Sequence, residues 1–298
     1  MNKTIGILIA IFITNIGFGQ DYQLEFNKHL NANDTLRQKQ TLESWEKANP
    51  NDPELYTSYF NYYFLKSKQE VITMTTEEPE GDSFVLTDSL NQTVGYLGSQ
   101  IHYEQTELQK GIDKINKGIE LYPNRLDMRF GKIYVYGQIK DWQKFTNEII
   151  TTVKYSSTNN NEWTWTNNER QNNGNEFFLS SLQDYQVQLY DTGDDSLLAN
   201  MREIANEILK YYPDHIESLS NLSVTYLLTG EYDKGIEPLL KAEKLNPEDY
   251  IVLSNIAQGY KLKGDKKNAI EYYEKSIKYG DEQAKAYAKQ QIKELKEK

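Results

Sequence analysis

A chain of 298 residues with no cysteine and three histidines excludes disulfide staples, thiolate zinc sites and cysteine nucleophiles. Its 44 Asp and Glu outnumber 33 Lys and Arg, for a formal net charge of −11. That balance opposes nucleic acid, whose phosphates call for clustered Lys and Arg. With 38% of its residues hydrophobic, the chain can build a core but is long for one compact globule.

The first element is a targeting segment. Lys3 precedes an apolar run, Ile5 to Ile13, followed by Thr14, Asn15 and Gly17-Phe18-Gly19 ahead of Gln20. A basic start, an apolar stretch of that length and small residues before a polar segment predict a cleavable signal peptide over 1–19. The run is too short and too interrupted to span a bilayer. The expectation is therefore export, to a periplasm or out of the cell, without stable membrane insertion after cleavage. The absent cysteine also closes the route to a lipid anchor at the cleavage site.

Residues 21–50 read as a partial helical hairpin. Pro50-Asn51-Asp52-Pro53-Glu54-Leu55-Tyr56 then reads as a turn and a proline-initiated helix, because a proline in the first helical turn costs no hydrogen bond. An aromatic stripe, Tyr56, Tyr59, Phe60 and Tyr63, follows. Between about 69 and 107 the helical pattern breaks. Val71 to Thr76 and Ser83 to Thr87 are β-prone runs around Pro79 and Gly81, which predicts a two-stranded hairpin over 71–87. Such a hairpin is marginal alone and should pack on helices or a further strand. From Gly111 an amphipathic helix runs to Pro123, and the helical pattern continues to about 155. The Asn-rich stretch of about 156–177, carrying Trp163 and Trp165, predicts a long loop without regular helix.

Beyond Pro213 the sequence repeats every 34 residues. Leu219, Leu222, Tyr226, Gly230, Ile236 and Pro247 are followed in the same register by Leu253, Ile256, Tyr260, Gly264, Ile270 and Asp281. A fixed period with a central turn glycine is the signature of stacked helical hairpins, and the pattern resembles the tetratricopeptide repeat. The segment ending at Pro123 is similar to the second helix of such a unit, and Pro50, Pro123, Pro213 and Pro247 mark unit ends. Pro50 and Pro123 lie 73 apart, one period and 39 residues more. Pro123 and Pro213 lie 90 apart, two periods and 22 more. These surpluses fall on the two non-helical stretches. The expected fold is all-α, an α-solenoid over 20–298 with two insertions and a capping helix at about 282–298 whose outer side is polar. Ser223, Ala257, Gly235, Ala242, Ala269 and Ser276 are the small residues where paired helices approach.

Catalytic chemistry finds little support. No pair of histidines has helical ligand spacing, and there is no G-x-S-x-G elbow, phosphate-binding glycine loop or H-E-x-x-H. His215 reads as a residue beside a turn. The acidic groups Glu77, Glu78, Glu80, Asp82 and Asp191, Asp194, Asp195 lack the alternation of a calcium loop and read as solvated turns or helix starts. The expectation is a non-enzymatic interaction scaffold without cofactor or metal, whose partner is a protein or peptide, with a cell-envelope glycan as the alternative.

Two sets of residues are candidates for partner contact. Trp163 and Trp165 alternate with threonine, so an extended backbone would place both rings on one side, either as exposed anchors or as a plug between repeats. The second set follows from the resemblance, which implies a concave face lined by the first helix of each repeat. Asn221 and Asn255 hold equivalent places there, and Lys285 and Lys289 continue the register into the last helix. In tetratricopeptide domains that capture a C-terminal carboxylate, asparagines at this place act with Lys and Arg. Two departures weaken the match: Glu217 stands where a lysine would be, and Lys289 stands for an arginine fork.

Overall fold

The computed structural model describes residues 16–79 and 81–297, with side chains from residue 21 onward. Residues 1–15 of the expected signal peptide lie outside the described residues. Two compact units are formed, one of the chain up to Lys132 with Thr164–Glu169, the other of Ile133–Trp163 with Arg170 to the C-terminal end.

In the first unit, α1 (Ile16–Asn31) and α2 (Thr35–Ala48) form the opening hairpin, and α3 (Pro53–Ser67) follows. Asp52 starts α3 by accepting from the Glu54 amide, and its other oxygen receives the indole N–H of fully buried Trp45. The hairpin core joins Phe26, Leu42, Trp45, Leu55, Tyr59 and Tyr62. Helix α4 (Gln105–Leu121) packs on α3 across two close approaches. At Gly118 a Cβ would sit 2.9 Å from Tyr56 Cβ and 3.0 Å from Met128 Sδ, so only glycine admits that spacing. The Lys114 ammonium donates to Glu46 of α2 at 2.6 Å and lies 4.0 Å from the Tyr59 ring centre, tying three helices together. Helix α5 (Leu126–Gln138) begins in this unit with Leu126 and Met128 fully buried.

The insertion between α3 and α4 is an antiparallel sheet of β1 (Lys68–Thr75), β2 (Ser83–Thr87) and β3 (Thr93–Tyr103), in the order β1-β3-β2. This corrects the two-stranded hairpin. Both expected β-prone runs are strands, but they pair with β3 rather than with each other. The segment around Pro79 crosses one face of the sheet, over Gly98, where a Cβ would come within 2.9 Å of Pro79 Cγ. The true hairpin is β2–β3, closed by Asp88, whose carboxylate accepts from the Leu90 and Gln92 amides, and by Asn91 at positive φ. The expected need for a further strand is met by β3.

The second unit contains α6 (Trp142–Thr158), α7 (Gly174–Asp191), α8 (Leu198–Tyr211), α9 (Ile216–Leu228), α10 (Tyr232–Leu245), α11 (Tyr250–Lys263), α12 (Lys266–Tyr279) and α13 (Glu282–Glu297). Leu219, Leu227, Ile236, Leu239, Ala242, Val252 and Ile256 form one core, and Ala257, Ala269, Tyr273, Ala288 and Leu295 the next. All the small residues named above are buried. At Gly235 a Cβ would lie 2.6 Å from Leu227 Cδ2, which is why α9 and α10 can touch. The turn glycines Gly230 and Gly264 take φ of 79° and 86°, left-handed values that glycine adopts without steric penalty. Residues 159–173 carry a single 3₁₀ turn, Thr166–Asn168, so the Asn-rich loop is shorter than the expected 156–177: α6 continues to Thr158 and α7 begins at Gly174. Asn160, Asn161, Asn167 and Asn168 all sit at positive φ, a region asparagine tolerates better than other side-chain-bearing residues.

Candidate interaction surfaces

The first helices of the C-terminal hairpins hold the candidate groove residues. Asn221 lies on α9 and is half-buried. It donates to Gln183 Oε1 of α7 at 2.6 Å and accepts from Gln183 Nε2 at 3.5 Å, so one amide pair links consecutive first helices. Asn255, in the equivalent place on α11, is half-buried, whereas Lys289 on α13 is exposed. Neither side chain has a hydrogen-bond or ion-pair partner among the described residues. Lys285 pairs with Glu282 of its own helix at 3.0 Å. A further contact that the sequence did not signal crosses from α11 to α13: Lys261 meets Gln291 and Glu294, the latter at 3.3 Å. Of the four groups placed for a carboxylate, two are thus held by neighbours and two stand open. Glu217 is more than half exposed and leans to His215 Nε2 at 3.1 Å.

The two tryptophans part company. Trp163 is fully buried in the second unit, between Tyr155 and Phe178 at ring-centre distances of 5.8 and 5.3 Å, with its indole N–H donated to Asn161 Oδ1 at 3.2 Å. It is core, and an exposed-anchor role for its ring is corrected. Trp165 belongs to the first unit, where it is half-buried and stands edge-on to Phe130 at 6.2 Å. The backbone at Trp165 is extended, with φ −124° and ψ −165°. A bridge between Thr164 and Arg125 holds that stretch, and left-handed asparagines turn the chain before and after it.

Loop residues 164–168 are fastened to the first unit by a buried ion cluster invisible to linear reading. The Leu126 amide donates to Thr164 O at 3.0 Å. Arg125, 1% exposed, forks onto Glu54 and Asp127, and the Asn167 amide adds a 2.8 Å bond to Glu54 Oε1. Burial acts to lower the Arg125 pKa, but hydrogen bonds to Asp127 and Glu54 outweigh it and hold the guanidinium above its ordinary value.

A third cluster resembles catalytic geometry without its access. His215 Nδ1 lies 2.8 Å from Ser218 Oγ while Glu217 approaches the other nitrogen. Ser218 is 1% exposed, so its oxygen cannot meet a substrate carbonyl as a nucleophile must. Burial lowers the imidazole pKa, opposed by the charge of Glu217. Among the acidic groups, Asp194 caps a short 3₁₀ turn by accepting from the Ser196 amide at 2.9 Å. No described helix is long and apolar enough to cross a membrane.

No curated protein matches the chain in sequence. Among solved structures, similarity is found to the C-terminal part of a tetratricopeptide repeat-containing protein from Cytophaga hutchinsonii, at 14% identity over 88% of this chain and 78% of that one, with a TM-score of 0.43. A tetratricopeptide repeat protein from Parabacteroides merdae aligns at 12% identity over 93% and 88%, with a TM-score of 0.37. YrrB, described as a tetratricopeptide repeat protein with an unusual peptide-binding site, aligns at 13% identity over 84% and 97%, with a TM-score of 0.42. The tetratricopeptide repeat model itself matches residues 216–249 and 252–279, the hairpins α9–α10 and α11–α12. The chain thus carries two tetratricopeptide repeats in register over residues 216–279, preceded by further helical hairpins.

Proposed function

We propose that this protein is an exported, non-enzymatic scaffold that holds a segment of a protein partner along the first helices of its C-terminal repeats. The observation that supports this most is the polar line on those helices, where Asn221 and Gln183 join α9 to α7 while Asn255 and Lys289 keep open hydrogen-bonding capacity. Repeat arrays present such extended faces because each unit contacts only its neighbours. A partner's terminal carboxylate is the ligand best suited to Asn255 and Lys289, with charge-assisted bonds each contributing about 1.5–3 kcal/mol. Asn221 and Lys285 would join after exchanging their present partners. The nearby Glu217 selects against ligands with further negative charge.

A photo-crosslinking side chain at position 255, compared with one at exposed Glu274 on α12, tests the groove in an envelope fraction. Crosslinks from 255 alone are expected, and equal labelling from both positions refutes it. Peptides with free and amidated C-termini separate carboxylate capture from general groove binding, and equal affinity rules out the carboxylate. Export is tested by the amino terminus of the protein from its native cell, where retention of residues 1–19 refutes it.

A further inference from the structure

A cavity of about 510 Å³ opens along the seam of α1 and α2 in the first unit, whereas the groove proposed above belongs to the second. Tyr22, Glu25 and His29 line it from α1, and Arg37, Gln40, Thr41 and Ser44 from α2. Spacings of three and four residues bring each set to one side of its helix. The apolar stripe of the same helices, Phe26, Leu42 and Trp45, is spent in the hairpin core. The seam is polar even where it is buried. Thr41 is 5% exposed, and its hydroxyl has no hydrogen-bond partner among the described residues. His29 is 8% exposed, and its ring reaches Glu25 at 3.7 Å. A buried hydroxyl left unpaired is destabilising, and valine would fill the same space, so the oxygen of Thr41 calls for a ligand that pairs with it. At the rim, Gln40 and Ser44 are exposed and also have no side-chain partner among the described residues.

Charge and hydrogen-bonding capacity choose the ligand. Glu25 opposes an anion and Arg37 a cation, so the lining favours neither sign; Arg37 is moreover held by Asp34 at 3.4 Å. The unspent groups are the hydroxyls of Thr41 and Ser44 and the amide of Gln40, all of which both donate and accept. Sugar hydroxyls also donate and accept, so each can meet such a group in either sense. Half-buried Tyr22, stacked on Trp45 at 6.1 Å, supplies an aromatic body for the apolar C–H side of a pyranose ring. From Tyr22 to His29 the wall is about 10 Å long at the helical rise, which suits one or two sugar rings and is short for an extended peptide. We propose that the α1–α2 seam binds a neutral saccharide, with Thr41, Gln40 and Ser44 holding its hydroxyls and Tyr22 packing on its ring.

The probes are the methyl glycosides of mannose, galactose and N-acetylglucosamine, presented to the full chain at millimolar concentration in saturation-transfer NMR and titrated by calorimetry. At least one glycoside should receive saturation. Thr41→Val keeps the branched shape and deletes the hydroxyl, and should weaken that glycoside by at least about tenfold. Its melting temperature should stay level or rise, because the variant buries no unpaired oxygen; a hydroxyl with a structural role alone would lower it. Gln40→Ala and Ser44→Ala should each weaken binding, while Gln109→Ala on α4 leaves it unchanged. Saturation of none of the three glycosides, or binding insensitive to Thr41→Val, overturns the proposal. So does tighter binding of inorganic phosphate or of a capped triglycine, since the seam would then be an anion site or a peptide site.

Discussion

Replacing Arg125 by methionine is expected to loosen the first unit by several kcal/mol. The guanidinium contacts Glu54 at 2.6 and 3.2 Å and Asp127 at 2.8 and 2.7 Å, using Nε, Nη1 and Nη2. Its side chain is 1% exposed, those of Glu54 and Asp127 only 7% and 12%. Removing the cation leaves two desolvated carboxylates facing each other. Breaking a buried pair from one side costs about 3–5 kcal/mol, a large share of the roughly 5–15 kcal/mol that stabilises an ordinary domain.

The readout is hydrogen exchange of amides in α3 and in residues 164–169, where the Asn167 amide is bonded to Glu54 at 2.8 Å. In Arg125→Met both segments should exchange faster together, since one cluster holds both. Adding Glu54→Gln and Asp127→Asn to Arg125→Met removes the uncompensated charge and should recover most of the loss. Arg125→Lys keeps the charge but loses the double fork, and should fall between. A loss below about 1 kcal/mol for Arg125→Met would show that water already solvates the cluster. A triple variant no better than the single would show that shape, rather than charge, is what Arg125 supplies.

The tryptophans should respond unequally. Trp163→Ala removes a fully buried ring and should cost about 3–5 kcal/mol in thermal or urea unfolding, whereas Trp165→Ala, half-buried against Phe130, should cost clearly less; equal losses contradict this assignment of core and margin. His215 predicts a pH dependence. Because burial holds its folded-state value below the ordinary 6.5, the folded chain binds fewer protons there than the unfolded one. Its stabilisation is therefore complete above 6.5 and is lost as the pH falls through the lower folded value. The stability difference between wild type and His215→Gln should shrink or reverse on acidification, and a difference independent of pH refutes it.

The legible parts of the fold were those whose signal repeats locally. Leu219, Leu222 and Tyr226 recur as Leu253, Ile256 and Tyr260 because one helical hairpin supplies the whole pattern, and the turn glycines recur because the same left-handed turn is needed each time. Strand β3 escaped because Gly95 and Gly98 dilute its alternation, although Gly98 is where the chain makes room for Pro79. The alternation of Trp163 and Trp165 could not show their unequal burial, which is set by the rings each one meets, Tyr155 and Phe178 for the first and Phe130 for the second. Nothing local could join Glu54 to Arg125 or to Asn167, since those partners lie 71 and 113 residues apart. In the groove, sequence placed Asn221 on its helix but had no means of seeing that Gln183 already occupies its amide.

The sheet also shows how a repeat can carry an insertion without losing its form. At its base the Glu104 amide donates to Ser67 O at 2.8 Å, Lys68 pairs with Tyr103, and Tyr103 stacks on Phe64 at 5.6 Å. The end of α3 and the start of α4 are thus already as close as a tight turn would bring them. Replacing residues 69–102 by Asn-Gly, which closes a paired antiparallel position as a two-residue turn, should leave the α3–α4 pair intact. Shortening that connection lowers its closure entropy by about 2–3 kcal/mol, offsetting the lost strand pairing. Exchange protection in α3 and α4 should therefore match the full chain. Loss of protection in both helices would mean that the sheet is a structural part of this repeat rather than an element mounted on it.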